Sequence, residues 1–282
     1  MVINGWKYYN HAAVPINQPH DKINLEPIND GSIWNLTSDN GVRPLLASYI
    51  SDFDTSYETS YWYIIKDGPF VFDELSKKYQ KNVLRALERC EVKHIDPISC
   101  FEDIYEVYKA AMSSYKTPDN ELSKTDLLAY MQQDGLEYWG AYNRLTGVLV
   151  GWMSCRNNGE WTETITAKYH PELQSFARPS DAIHYTILSY YLNDLGQKYI
   201  CSGSRNINHK TNVQDYKITN WKFRKAFCNL HVIYRPGINI IIKLLYPFRK
   251  LLHLFDGITF VHQVCSLLRL EEISRDCKKN IK

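Results

Sequence analysis

The 282-residue chain contains no C-x-x-C pair; its 7 cysteines stand singly at 90, 100, 155, 201, 228, 265 and 277. That spacing excludes a zinc module, and the odd count argues against a disulfide framework. The thiols read as free in a reducing compartment, with Cys155 and Cys201 as small core residues. Long apolar runs are missing too: no charge-free stretch approaches the ~20 residues of a spanning helix. The opening MVINGWKYYNHAAVP has no basic segment followed by an apolar one, so no signal peptide is expected and the chain is expected in the cytoplasm. An excess of one charge is also lacking: 33 basic and 31 acidic residues leave a net +2, which gives no whole-molecule attraction to nucleic acid. Neither H-E-x-x-H, a P-loop nor G-x-S-x-G occurs. Zincin, phosphate-loop and hydrolase-elbow chemistry are therefore not indicated, and no metal is expected.

What is present suits a large core. The chain is 44% hydrophobic and carries 21 Tyr and 7 Trp, which suggests one large domain or two small ones. Residues 1–60 are rich in Asn, Pro, Asp and Gly and read as short strands and loops. TSYWYIIK (59–66) reads as a strand, and 73–90 as a helix. From 91 the pattern alternates: strand 91–96, helices 98–115 and 123–134, strands 136–142, 147–155 and 160–169, helix 180–195, strand 199–203, helix 209–220, strand 223–235. Ser123 and Ser180 are the expected N-caps, and Asn157-Asn158-Gly159 a tight turn. The order β-α-α-β-β-β-α-β-α-β is that of a mixed α/β (α+β) sheet with helices on both faces. The expected organisation is an extension at 1–90, a core at 91–236 and an amphipathic helical tail at 237–282.

Three segments resemble a known superfamily. TAKYHPEL (166–173) is similar to the V-x-P-x-Y end of the fourth strand of acyl-CoA N-acyltransferases, the GNAT superfamily. TNWKFRKAF (219–227) resembles that family's K-x-G-F-x-K turn. GSR (203–205) with the Tyr216-Lys217 helix is similar to the FemAB-type G-R-S … F-K-x-x-W-G. The resemblance covers roughly 91–235, and the opening INGWKYYNHAAVPINQPH with YWYIIKDGPF looks like an uncharacterised bacterial subgroup of GNAT-type proteins. It implies a central sheet whose strands at 160–169 and 199–203 part to open a slot for a thioester or ester carbonyl. It further implies transfer of an acyl or aminoacyl group, from a CoA thioester or a charged tRNA, to an amine. The acceptor would be an amino sugar or a cell-envelope or polysaccharide precursor. The alternative is a non-catalytic binding or scaffold protein on a degenerate GNAT fold.

Each candidate site has two readings. Before Tyr169, Thr166 and Ala167 would face the thioester, and after it Ala177, Arg178 and Ser180 would hold the pyrophosphate of acyl-CoA at a helix N-terminus. The loop HPELQSFARPSDA (170–182) has no glycine and one arginine; Pro179 lacks an N–H, and Asp181 in the first turn repels phosphate. A plain capped helix is the favoured reading of this loop. Glu163, among apolar strand neighbours, is a candidate base or a structural ion-pair partner. Tyr216 is a candidate acid, although the family's tyrosine position holds Ile218. Ser204, Arg205, His209 and Asn212 could bind an acceptor or carrier, the Arg205 fork suiting phosphate or carboxylate, or could satisfy loop backbone. Trp62 could stack on a sugar or base, or pack in the core. Lys77, Lys81, Arg85 and Arg89 share a helix face that could hold phosphate or tRNA backbone, or be solvated. In the tail, Asn239, Lys243, Tyr246, Lys250 and His253 form a narrow polar stripe, and Pro247 breaks or restarts the helix. The broad apolar remainder would be covered by the domain itself, by a second subunit, or at 238–262 by an anionic membrane surface on the inner face.

Overall fold

A computed structural model describes residues 2–16, 19, 22–115, 121–207 and 212–279, apart from the side chains of 259 and 260. Its strands in chain order are β1 (Val2–Ile3), β2 (Trp6–Tyr9), β3 (Ala12–Pro15), β4 (Leu46–Thr55), β5 (Tyr61–Asp67), β6 (Cys90–Ile95), β7 (Glu137–Asn143), β8 (Leu149–Asn157), β9 (Trp161–Tyr169), β10 (Tyr199–Ser204) and β11 (Arg224–Tyr234). The α-helices are α1 (Glu26–Asn29), α2 (Lys77–Arg89), α3 (Phe101–Ser113), α4 (Lys124–Met131), α5 (Pro171–Gln174), α6 (Pro179–Leu188), α7 (Val213–Trp221), α8 (Ile238–Leu245), α9 (Arg249–Leu252) and α10 (Thr259–Lys279). The fold is mixed α/β, as the sequence pattern predicts. Among the described residues no helix is long and apolar enough to cross a membrane.

The chain forms two compact units that cut it differently from the boundaries at 90 and 236. One comprises 1–63, 204–211 and 225–282; the other 64–203 and 212–224. Chain composition follows sequence order, whereas compactness follows packing. The helix of 77–89 packs on α6 and β6 and so joins the second unit.

In the first unit the strand order is β1-β2-β3-β4-β11. β3 pairs parallel with β4, and β4 antiparallel with β11. Trp6, Ala13, Ile33, Leu36 and Ala47 form its buried cluster. The ten residues of β4 are continuous strand, longer than the short pieces that the polar composition of 1–60 suggests. Pairing with the apolar β11 stabilises them.

In the second unit the order is β10-β9-β8-β7-β6, antiparallel except for parallel β9–β10. Helices cover both faces. Trp152 packs among α3 residues, its indole N–H donating to the Ile104 carbonyl at 3.3 Å. Its neighbour Gly151 points the other way, toward Pro179 at the start of α6. Ser123 caps α4, accepting from Asp126 N at 3.1 Å. Asn157 closes the expected turn by accepting from Gly159 N at 3.0 Å.

Ser180 is not the cap of α6. The N-cap is Arg178 in the left-handed region, with Pro179 at the first position, where its fixed φ fits and no N–H is needed. Helix 180–195 splits at Ser189 into α and π geometry. The basic row on α2 is mostly solvated. Lys81 and Arg85 are exposed, Lys77 lies 4.0 Å from Asp73, and Arg89 stacks 4.1 Å over Phe176.

Candidate functional site

β9 and β10 pair only at Tyr199↔Trp161, Ile200↔Thr162 and Cys201↔Glu163. Beyond Glu163, β9 runs on to Tyr169 with its register held by β8, for example Met153↔Ala167. The two parallel strands therefore fork. At the fork Thr164 Oγ1 lies 2.8 Å from Ser202 Oγ, and Lys217 Nζ of α7 donates to the same Ser202 oxygen.

Strict alternation along 160–169 fails at the fork. Ser154 faces Thr166 and Cys155 faces Thr164, leaving Ile165 as an extra residue. Such a bulge exchanges the faces of the residues on either side. Thr164, Ala167 and Tyr169 consequently share the α6 face, while Glu163 and Thr166 share the α3 face. Glu163 sits 3.9 Å from Arg156, and Thr166 Oγ1 lies 2.9 Å from Tyr130 OH. Glu163 thus lies beside an arginine, on the opposite face from the cavity described next.

That cavity, of about 650 Å³, opens between the end of β9, α6 and α7; Tyr169, Gln174, Arg178, His184, Tyr216 and Lys217 are among its lining. Its floor depends on a glycine. A Cβ on Gly151 would meet Tyr169 Cδ1 at 2.7 Å and Pro179 Cβ at 3.1 Å. Gly151→Ala is therefore expected to destabilise by about 1–3 kcal/mol through overpacking, read as a lower urea midpoint. A change under about 0.5 kcal/mol would show that the contact relaxes freely.

The start of α6 is organised by a buried acid. Asp181 Oδ1 accepts from Tyr79 OH and Tyr216 OH at 2.5 Å each, and Oδ2 accepts from Arg178 Nε at 2.6 Å. Burial and the Asp181 charge push the Tyr216 phenol up to about 12, so it stays protonated at neutral pH. Beside it, His184 Nδ1 donates to the Ser180 carbonyl at 2.7 Å, which leaves Nε2 as an acceptor. Burial, and then the Lys217 charge, lower His184 to about 3, so the ring is neutral. Burial lowers Lys217 to about 8 and holds Tyr169 well above the ordinary phenol range.

Three buried polar atoms of this lining have no protein partner among the described residues: Tyr169 OH, Gln174 Oε1 and His184 Nε2. Buried polar atoms are rarely left so. A cavity that presents these atoms beside a lysine lowered to about 8 can hydrogen-bond a polar ligand.

The candidate residues divide accordingly. Tyr216, Arg178, Ser180 and Asn212 line the cavity, although Ser180 Oγ already accepts from Gln174 Nε2. Ala177 is fully buried, its carbonyl taken by Cys90 Sγ at 3.4 Å. Ser204, Arg205 and Trp62 belong to the first unit. Arg205 donates through its backbone N to the Trp62 carbonyl at 2.7 Å and through Nη1 to the Ser60 carbonyl, which is the loop-bracing reading. Lys225 Nζ lies 4.9 Å over the Trp62 ring. His209 lies outside the described residues. Lys217, His184, Tyr169, Gln174 and Tyr79 were not singled out by pattern as site residues. A usable signal existed for Lys217, which sits four residues before the apolar Trp221, on the row a helix buries.

The residues do not fit the pyrophosphate of acyl-CoA. The first turn of α6 presents Pro179 and the Asp181 carboxylate, and the one arginine there is turned onto that carboxylate. Among the described residues one group has metal-ligand types, His253, Asp256 and Cys265 in the first unit. The Asp256 oxygens there already meet Arg269 and His262.

No protein-family model matches the chain, and no curated protein matches it. Solved structures do. The chain is similar to the crystal structure of FemX, with TM-score 0.55 and 8% identity over 78% of this chain and 78% of that one. It is similar also to L-PGS from Bacillus licheniformis, with TM-score 0.52 and 10% identity over 82% of this chain and 80% of that one. The likeness shows that the chain has the fold of FemX and of L-PGS.

Proposed function

We propose that the protein is an acyltransferase that moves an aminoacyl group from an ester donor to an amine at the β9–β10 fork. The carrying observation is the fork with Lys217 at its base, opening on a cavity lined by buried polar atoms that have no partner among the described residues. The acidic first turn of α6 favours an ester donor of the charged-tRNA kind over acyl-CoA. The FemAB-type resemblance points to an amino sugar or envelope precursor as acceptor.

In this reading the amine attacks the ester carbonyl, the C–N bond forms, the ester C–O bond breaks, and the amine's surplus proton leaves with the departing hydroxyl. The Lys217 ammonium stabilises the oxyanion that develops on the carbonyl, an arrangement worth ~10²–10³ in rate for a single donor. His184, neutral and too weak a base to hold a proton, orients a donor group of the substrate through Nε2. Tyr216 remains a protonated phenol fixed on Asp181 and positions α7 against α6.

The test combines binding and rate. Thermal stabilisation is expected with charged tRNA and not with acetyl-CoA. Transfer of label from aminoacyl-tRNA to an amino-sugar nucleotide is expected to fall at least 100-fold in Lys217→Met. Because the ammonium is the active form, the wild-type rate should decline as pH rises through about 8. Saturable stabilisation by acetyl-CoA that vanishes in Arg178→Ala would overturn the donor assignment. A Lys217→Met rate within a few-fold of wild type would overturn the site. Stabilisation by neither ligand would favour a scaffold on this fold.

A further inference from the structure

The tail of the first unit carries a face that the transfer site does not use. α8, the 3-10 turn Tyr246–Phe248, α9 and the turn His253–Phe255 follow one another without a strand or long loop. α8 and α9 pack against α10, and Ile242 is buried. The outer side is apolar. Ile240 is 63% exposed, Leu244 66%, Phe248 59%, Leu251 56% and Leu254 77%. With Ile258, also exposed, they recur at about the 3.6-residue period of a helix, so they form one stripe. Scattered exposed apolar residues are ordinary, but a continuous stripe is not.

The charges beside the stripe say what covers it. Lys243 and Lys250 are exposed and lie seven residues apart, on one flank of it. Neither has a protein partner among the described residues. The one acid between 237 and 258 is Asp256, and it is held by Arg269 and His262. A second copy docked face to face would bring these lysines together with no exposed acid from this stretch to meet them. A lipid surface supplies both things that the face lacks: hydrocarbon for the stripe, and phosphate within reach of lysine stems on its flank.

We infer that residues 240–258 dock the protein on a membrane surface rich in anionic phospholipid, lying in the interface plane. This inference does not depend on the transfer reading. An enzyme of another kind, or a scaffold, would dock in the same way.

The experiment is flotation of the full chain with vesicles of equal parts phosphatidylglycerol and phosphatidylcholine, and with pure phosphatidylcholine vesicles. Most of the protein is expected to float with the anionic vesicles at low salt, and at least tenfold less with the neutral ones or at 0.5 M salt. Leu244→Asp with Leu251→Asp should abolish flotation while leaving the circular dichroism melt unchanged, since both side chains are exposed. Lys243→Glu with Lys250→Glu should remove the anionic preference. Absence of flotation with either vesicle overturns the inference. So does a concentration-dependent dimer in light scattering that the Leu244 and Leu251 variants convert to monomer without altering vesicle binding, because the face would then belong to a second copy.

Discussion

Replacing Asp181 by alanine is expected to cost roughly 3–5 kcal/mol, the range for breaking a buried charged cluster by removing one member. The carboxylate is 1% exposed and is the common acceptor for Arg178, Tyr79 and Tyr216. Deleting it takes the shared acceptor from two phenols, at about 1–3 kcal/mol, leaving them only each other, and leaves the arginine without its anion. Arg178 is 28% exposed, so water recovers part of its share. Asn in place of Asp keeps an oxygen for the phenols and should cost about half as much. The three partners share one acceptor, so the effects should not add: in a Tyr79→Phe, Tyr216→Phe background, Asp181→Ala should be milder by about 1–2 kcal/mol. Urea unfolding reads all of this. A single-variant cost below about 1 kcal/mol would mean that the cluster does not hold α2, α6 and α7 together.

Lys217→Met should act in the opposite direction on stability while removing activity. Burial lowers this lysine from 10.5 to about 8, so at neutral pH the fold keeps a charged ammonium that would rather be in water. The difference corresponds to roughly 3 kcal/mol, and Met fills a similar volume without the charge. Loss of the Ser202 hydrogen bond offsets part of it, leaving an expected gain of roughly 1–3 kcal/mol. The sign fixes the pH window. A lysine lowered in the folded state destabilises fully below about 8, and the penalty disappears as pH rises from there to 10.5. The advantage of the variant should therefore shrink between pH 7 and pH 10. A variant less stable than wild type at pH 7 would show that Lys217 is a structural hydrogen-bond donor rather than a strained functional cation. A group held at a cost to the fold is the usual mark of a functional site.

Much of the core was legible because local patterns survive folding. Period-2 and helical spacing located β6 to β11 and their helices; Ser123 capped where a short polar side chain before an apolar run should; Asn157 and Gly159 turned the chain. Of the catalytic candidates, Glu163 comes from such a pattern and Tyr216 from the family resemblance. One missed the cavity face because a single extra residue, Ile165, reverses which side each later residue of β9 presents. The other is engaged by Tyr79 and Asp181, and no local spacing relates a residue on α2 to one on α7.

The sequence by itself determined the class of fold, the order of its elements and the apolar tail, since these follow from short-range periodicity and composition. Only the tertiary structure decided where the sheet forks, which polar atoms are left waiting, and that Asp181 anchors Arg178, Tyr79 and Tyr216. The physical reason is that burial and partners are properties of position in space. A lysine, a histidine and a carboxylate take their charge and role from neighbours that the chain supplies from far along its length.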